Sequence, residues 1–97
     1  MVNQNVWNVI GATPVTPQDR QDMIMVAKTS YNLILKDLHK AEDYLLRVDK
    51  EGLKWTDKHQ DRFNEIMQQL SKIANYYREL SGLEMTYEES MTTGFKI

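Results

Sequence analysis

From residue 24 onward, apolar residues recur at alternating steps of three and four. Ile24, Ala27, Tyr31, Ile34, Leu38, Ala41, Leu45 and Val48 form one run, and Phe63, Ile66, Leu70, Ile73, Tyr77 and Leu80 form a second. That spacing holds an apolar seam on one side of a helix, with polar residues filling the positions between. The expected fold is all-α: two long helices joined by a short turn, packed as an antiparallel, coiled-coil-like hairpin.

Local signals set the boundaries. Thr16 reads as an N-cap, with Pro17 at the first helical position and Asp19 three after the cap. No Gly or Pro interrupts the chain from there to about Lys50, and Gly52 is a natural stop. Thr56 is the next cap, and the second helix is expected from Asp57 to Ser81, ending at Gly82 with Leu83 placed for a Schellman-type apolar contact. Thr86 with Glu89 marks a short third helix, closed by Gly94. The chain therefore divides into an arm (1–16), a helical hairpin (helix 17–50, turn 51–56, helix 57–81) and a C-terminal tail (83–97). A connection of about five residues makes the two helices antiparallel neighbours.

The two helices differ in length, roughly 48 Å against roughly 38 Å. With one end fixed by the turn, the start of the first helix overhangs. The overhang holds Met23, Ile24, Met25 and Val26 in succession, which point all round the helix and need cover on more than one side. The arm around Trp7 and the tail residues Met85, Tyr87, Met91 and Phe95 belong to the same end. Leu35, Leu46, Met67 and Ala74 also flank the seam and widen it beyond what one partner helix covers. The expectation is a dimer of hairpins forming a four-helix bundle. Its candidate partner-binding residues are Trp7, Met23, Ile24, Met25, Val26, Trp55, Tyr76, Met85, Tyr87, Met91 and Phe95.

Composition narrows the function classes. The chain has 97 residues, no cysteine and a net charge of −2, so neither a disulfide framework nor a thiolate chemistry is available. Residues 1–16 are uncharged and residues 17–82 balance 11 basic against 11 acidic side chains. No basic stripe is present to supply the phosphate contacts on which nucleic-acid affinity rests. No run approaches the roughly 18 apolar residues that span a bilayer. The start does not read as a cleaved signal peptide, so a cytoplasmic location is the default expectation, with leaderless secretion as the alternative.

Candidate chemistry is sparse. His39 and Glu42 form a short cluster, but Leu38 and Ala41 take the inward positions, so a di-iron reading gives way to a solvated helix face. His59 continues the second seam one step before Phe63, where it either covers the hairpin core near Trp55 or faces water, and it has no nucleophile or carboxylate spaced to work with it. Serines and threonines lack any nucleophile-elbow or phosphate-loop context. Adjacent Tyr76 and Tyr77 suit core or interface better than base stacking. Trp55, directly before the Thr56 cap, is placed to pack near Gln60 and Phe63 as a staple on the chain's entry into the second helix. No catalytic residue, metal site or cofactor is expected.

The segment Trp55 to Ser71 (WTDKHQDRFNEIMQQLS), with Arg62, Phe63 and Gln68-Gln69-Leu70, resembles the turn and second helix of the WXG family of small type VII secretion substrates. Thr16-Pro17-Gln18-Asp19 resembles that family's Ser-Pro-Glu-Glu start. The likeness covers residues 16–82. Asp57 stands where the family's Gly would be, and the Tyr-x-x-x-Asp/Glu signal is absent, since Leu80, Ser81 and Met91 follow Tyr76, Tyr77 and Tyr87 at that offset. The resemblance implies a non-enzymatic hairpin that dimerises, with Trp55 in the turn. The alternative expectation is a small oligomeric adaptor or regulator of a larger assembly, such as a viral packaging or DNA-associated factor, whose arm and tail order on assembly.

Overall fold

A computed structural model describes residues 9–97. Two long helices, α1 (Pro17–Glu51) and α2 (Asp57–Ser81), pack against each other, and a single short helix, α3 (Tyr87–Met91), lies in the tail. No strand occurs among the described residues. The long axis of 53 Å is the length of α1 alone, whose 35 residues rise about 1.5 Å each.

Each helix begins on a reciprocal cap. Thr16 accepts the Asp19 N–H at 3.0 Å while the Asp19 carboxylate accepts the Thr16 N–H at 3.2 Å, which satisfies two of the free donors of the first turn. Thr86 and Glu89 repeat the arrangement at α3. Gly52 and Gly82 end α1 and α2 with φ of 66° and 71°, a left-handed conformation that suits glycine. At Gly52 the Leu53 N–H reaches back to the Val48 carbonyl at 3.0 Å, as a Schellman turn requires. At Gly82 the expected Schellman contact through Leu83 is not formed. The Ser81 hydroxyl accepts the Leu83 N–H at 3.1 Å instead, and the Leu83 side chain stays 61% exposed.

The seam is buried through its middle. Ala27, Tyr31, Ile34 and Leu38 of α1 meet Ile66, Leu70, Ile73, Tyr77 and Leu80 of α2, with Ile34 and Ile73 almost wholly enclosed. Towards the turn it opens, and Leu45 is 46% exposed. Near the other end, Arg20 of α1 donates to the Leu80 carbonyl at 2.8 Å and ties the start of α1 to the end of α2.

The arm and the tail lie on opposite flanks of this seam, and adjacent tyrosines show the division. Residues 76 and 77 point about 100° apart on a helix. The Tyr76 hydroxyl donates to the Ala12 carbonyl of the arm at 2.8 Å. The Tyr77 ring instead packs on Phe95 of the tail at 4.7 Å between centroids. Ile10 from the arm and Phe95 from the tail thereby join the core.

Candidate functional site

The turn end carries an aromatic cluster built on the second cap. Thr56 caps α2, and its partner three residues on is His59. The His59 Nδ1 accepts the Thr56 backbone N–H at 3.0 Å and lies 2.9 Å from the Thr56 hydroxyl. A nitrogen that accepts a backbone N–H leaves the neutral ring's proton on Nε2. An imidazole thus does the work usually done by Glu or Gln at this position, and the cap fixes the plane of the ring.

Two further rings close on it. Tyr44 stacks on His59 at 4.7 Å and 22°, and Trp55 at 5.4 Å and 25°. Tyr44 and Trp55 are themselves 6.2 Å apart, so the three rings form a compact triangle rather than a linear pile. Phe63 meets Trp55 edge-on at 6.1 Å, a favoured geometry for aromatic pairs. Polar atoms hold the rings in place: Trp55 Nε1 donates to Gln60 Oε1 at 2.9 Å, and the Tyr44 hydroxyl donates to the Lys54 carbonyl at 2.8 Å.

Beside the cluster runs a groove of about 270 Å³. Ala41 and Ile66 supply apolar surface, Tyr44, Trp55 and His59 supply ring surface, and Asp37, Lys40 and Arg62 complete the lining. Arg62 spans the helices, donating to Asp37 of α1 at 3.3 Å and to Glu65 of its own helix at 3.1 Å. With side chains about half exposed, these pairs contribute little to stability but hold the guanidinium in position.

The tail flank is a second surface. Lys28, Asn32, Leu35 and His39 recur at 4-3-4 spacing along one stripe of α1. Lys28 Nζ lies 5.8 Å from the Phe95 ring centre, Asn32 bonds Phe95 twice, and His39 Nε2 lies 2.9 Å from the Met91 carbonyl. The same stripe continues through Glu42 to Leu46, beyond the tail's reach, and Leu46 is 74% exposed. On α2 the matching stripe runs from Ala74, beside Met85 and Ser90, back one heptad to the exposed Met67.

The residues expected to meet a partner fall in three places. Tyr76 and Phe95 are buried within the chain, and Met23, Ile24 and Met85 are half-buried against the core. Val26 and Met91 are half-buried, whereas Met25 and Tyr87 are exposed. Trp55 stands at the opposite, turn end. Trp7 lies outside the described residues. Exposed Val15 and Leu83 flank the open end.

The reading of the sequence did not single out Tyr44, His59 as a cap, or Asn32. A Thr-x-x-His spacing at the α2 start is the one signal that could have found the cap. Tyr44 sits one residue off the seam, and Asn32 carries no pattern at all. Two tyrosines have perturbed acidity: burial pushes Tyr31 above its ordinary value, and burial, with Glu79 nearby, does the same to Tyr76. No group of three or more metal-ligating side chains gathers among the described residues, and no helix there is long and apolar enough to cross a membrane. Comparison with protein-family models, characterised proteins and solved structures finds no match.

Proposed function

We propose that this chain is a non-enzymatic interaction module that associates with a second copy through its tail flank, forming a four-helix arrangement of two hairpins. The observation that carries the reading is the half-covered stripe. The tail covers Lys28 to Leu35 and reaches the exposed His39 through one hydrogen bond, while Leu46 at 74%, Leu45 at 46% and Met67 at 39% exposure are left open towards the turn. Exposed apolar side chains grouped in this way on a small domain mark a contact surface. A helical hairpin with Trp55 at the turn also agrees with the WXG resemblance, which supplies one biological version of the same module.

Light scattering at micromolar concentration tests the reading. The expected result is a dimer that Leu46→Glu with Leu45→Glu converts to a folded monomer. A wild-type chain that is monomeric and fully helical would overturn it.

One observation favours a second version, in which the module also seats a different protein as an adaptor in a larger assembly. Val15 and Leu83, at 89% and 61% exposure, adjoin the open end, where α1 begins and α2 stops. Val15→Asp with Leu83→Asp is expected to abolish co-purification of such a partner while leaving self-association intact.

A further inference from the structure

Most polar groups around the turn-end groove are already bonded within the chain. The Trp55 indole N–H is held by Gln60, the Tyr44 hydroxyl proton by Lys54, and the Arg62 guanidinium by Asp37 and Glu65. His59 Nδ1 is occupied by Thr56. Two donors have no partner among the described residues: the Lys40 ammonium and the His59 Nε2–H. Both belong to residues that line the groove. Arg62 is shared between Asp37 and Glu65, and Lys40 is the charged residue of the lining that has no ion pair among the described residues.

An unpartnered cation and N–H donor beside fixed rings specify a ligand with a carboxylate and an apolar group. Size sets how they are joined. At about 270 Å³ the groove falls just below the range of pockets that enclose whole small molecules, roughly 300–1,000 Å³. The last residue of a peptide chain carries both a carboxylate and an apolar side chain and is of the size this groove accepts.

We propose that this groove is a recognition site for a peptide C-terminus whose last residue is aromatic or large and apolar. Lys40 Nζ and His59 Nε2–H bond the terminal carboxylate, and the side chain packs on Tyr44, Trp55 and Ile66. Electrostatic complementarity then gives specificity, and the Thr56 cap keeps the imidazole oriented before the ligand arrives. The site lies on the flank opposite to that of the proposed self-association, so it goes beyond that reading and stands or falls separately.

The test is an NMR titration of the full chain with matched probes. N-acetylphenylalanine carries the ring and the free carboxylate. N-acetylphenylalaninamide carries the ring alone, and acetyl-Glu-Phe-amide carries an internal carboxylate. The acid is expected to shift the amides of Lys40, Tyr44 and His59 and the Trp55 indole N–H, with a dissociation constant on the order of 1 mM for a ligand this small. The neutral amide should bind at least roughly threefold more weakly, the scale of one exposed ion pair. Lys40→Met should weaken the acid by a similar factor and leave the amide unchanged; Lys40 is exposed and unpaired, so the fold is not at risk. The proposal is overturned if the acid shows no saturable shifts at those residues or binds no better than the amide. It is equally overturned if Lys40→Met has no effect, or if acetyl-Glu-Phe-amide binds as tightly as the acid, which would assign the groove to an internal acidic segment. Light scattering on the same samples reports self-association independently, so failure of one reading is not mistaken for failure of the other.

Discussion

Asn32 and Phe95 are bonded to each other twice: the Asn32 amide donates to the Phe95 carbonyl at 2.9 Å, and its oxygen accepts the Phe95 N–H at 2.7 Å. One side chain thus completes the backbone bonding of an irregular segment laid against a helix, where no ladder or helical partner is available. Asn32→Ala leaves both Phe95 groups partly buried and unbonded. The expected loss is about 1–3 kcal/mol, felt in tail docking rather than in the hairpin. Hydrogen exchange should show faster amides from Ser90 to Phe95 with little change at Ile34 or Ile73. A uniform loss of protection along both helices would contradict this.

Gly94 is the second half of that clamp. Its φ is 73°, and a methyl group added there would lie 2.3 Å from Asn32 Oδ1 and 2.9 Å from its Cγ. Gly94→Ala therefore meets both backbone strain, about 1–2 kcal/mol for a left-handed residue, and a clash that Asn32 cannot relieve without releasing Phe95. The tail is expected to undock. The total cost is bounded by what docking contributes, because the chain can simply forgo it. Circular dichroism should retain most of its helical signal while Lys28 and Leu35 become accessible.

The hairpin was legible because its signals are local and repeated. Thr16, Pro17, Gly52, Thr56 and Gly82 punctuate two heptad runs, and α1 ends one residue beyond the Lys50 expected. The seam positions Ile34, Leu38, Ile66 and Ile73 follow from spacing alone. Leu45 does not stay buried, although it keeps the spacing. The triangle of Trp55, His59 and Tyr44 makes Tyr44 the α1 contact at the turn, about 100° round the helix from Leu45. The tail's path was not readable either. It depends on single polar residues, Asn32, His39 and Tyr31, bonding to backbone carbonyls some 52 to 63 positions away. No periodicity encodes such pairs.

The Thr56–His59 cap links stability to the shape of the groove. Thr56→Ala removes the acceptor for the His59 N–H and the hydroxyl near Nδ1. The typical cost of losing such a cap is about 1 kcal/mol. His59→Gln keeps a side-chain acceptor of the kind common at that position but removes the ring from the triangle. Thr56→Ala is therefore expected to lower the denaturation midpoint more than it disturbs Tyr44 and Phe63. His59→Gln is expected to do the reverse, with large chemical-shift changes at the Tyr44 and Trp55 rings. Equal effects on both readouts from both variants would show that the cap does not orient the ring.

Alkaline pH should release the two flanks. Tyr31 donates its phenolic proton to the Ser90 carbonyl at 2.7 Å and Tyr76 to the Ala12 carbonyl at 2.8 Å. Burial raises both acidities' midpoints above the ordinary value near 10. A raised midpoint in the folded state means that the folded chain holds the proton more tightly than the unfolded one. The associated stability is complete below pH 10 and is lost as pH rises through the folded-state value. Each phenolate would also face a carbonyl oxygen with no proton between them. Above that pH the tail, through Tyr31, and the arm, through Tyr76, should open while the caps at Thr16 and Thr56, which involve no phenol, hold. Tyr31→Phe should abolish the alkaline step for amides 90–95 and leave the step at the arm intact; Tyr76→Phe should do the opposite. Both variants lack one hydrogen bond, so each starts about 1 kcal/mol less stable at neutral pH. Tyrosinate absorbance followed alongside hydrogen exchange decides the matter. If all five tyrosines titrate together near 10 with no change in exchange at either flank, the phenols do not hold the arm and tail in place.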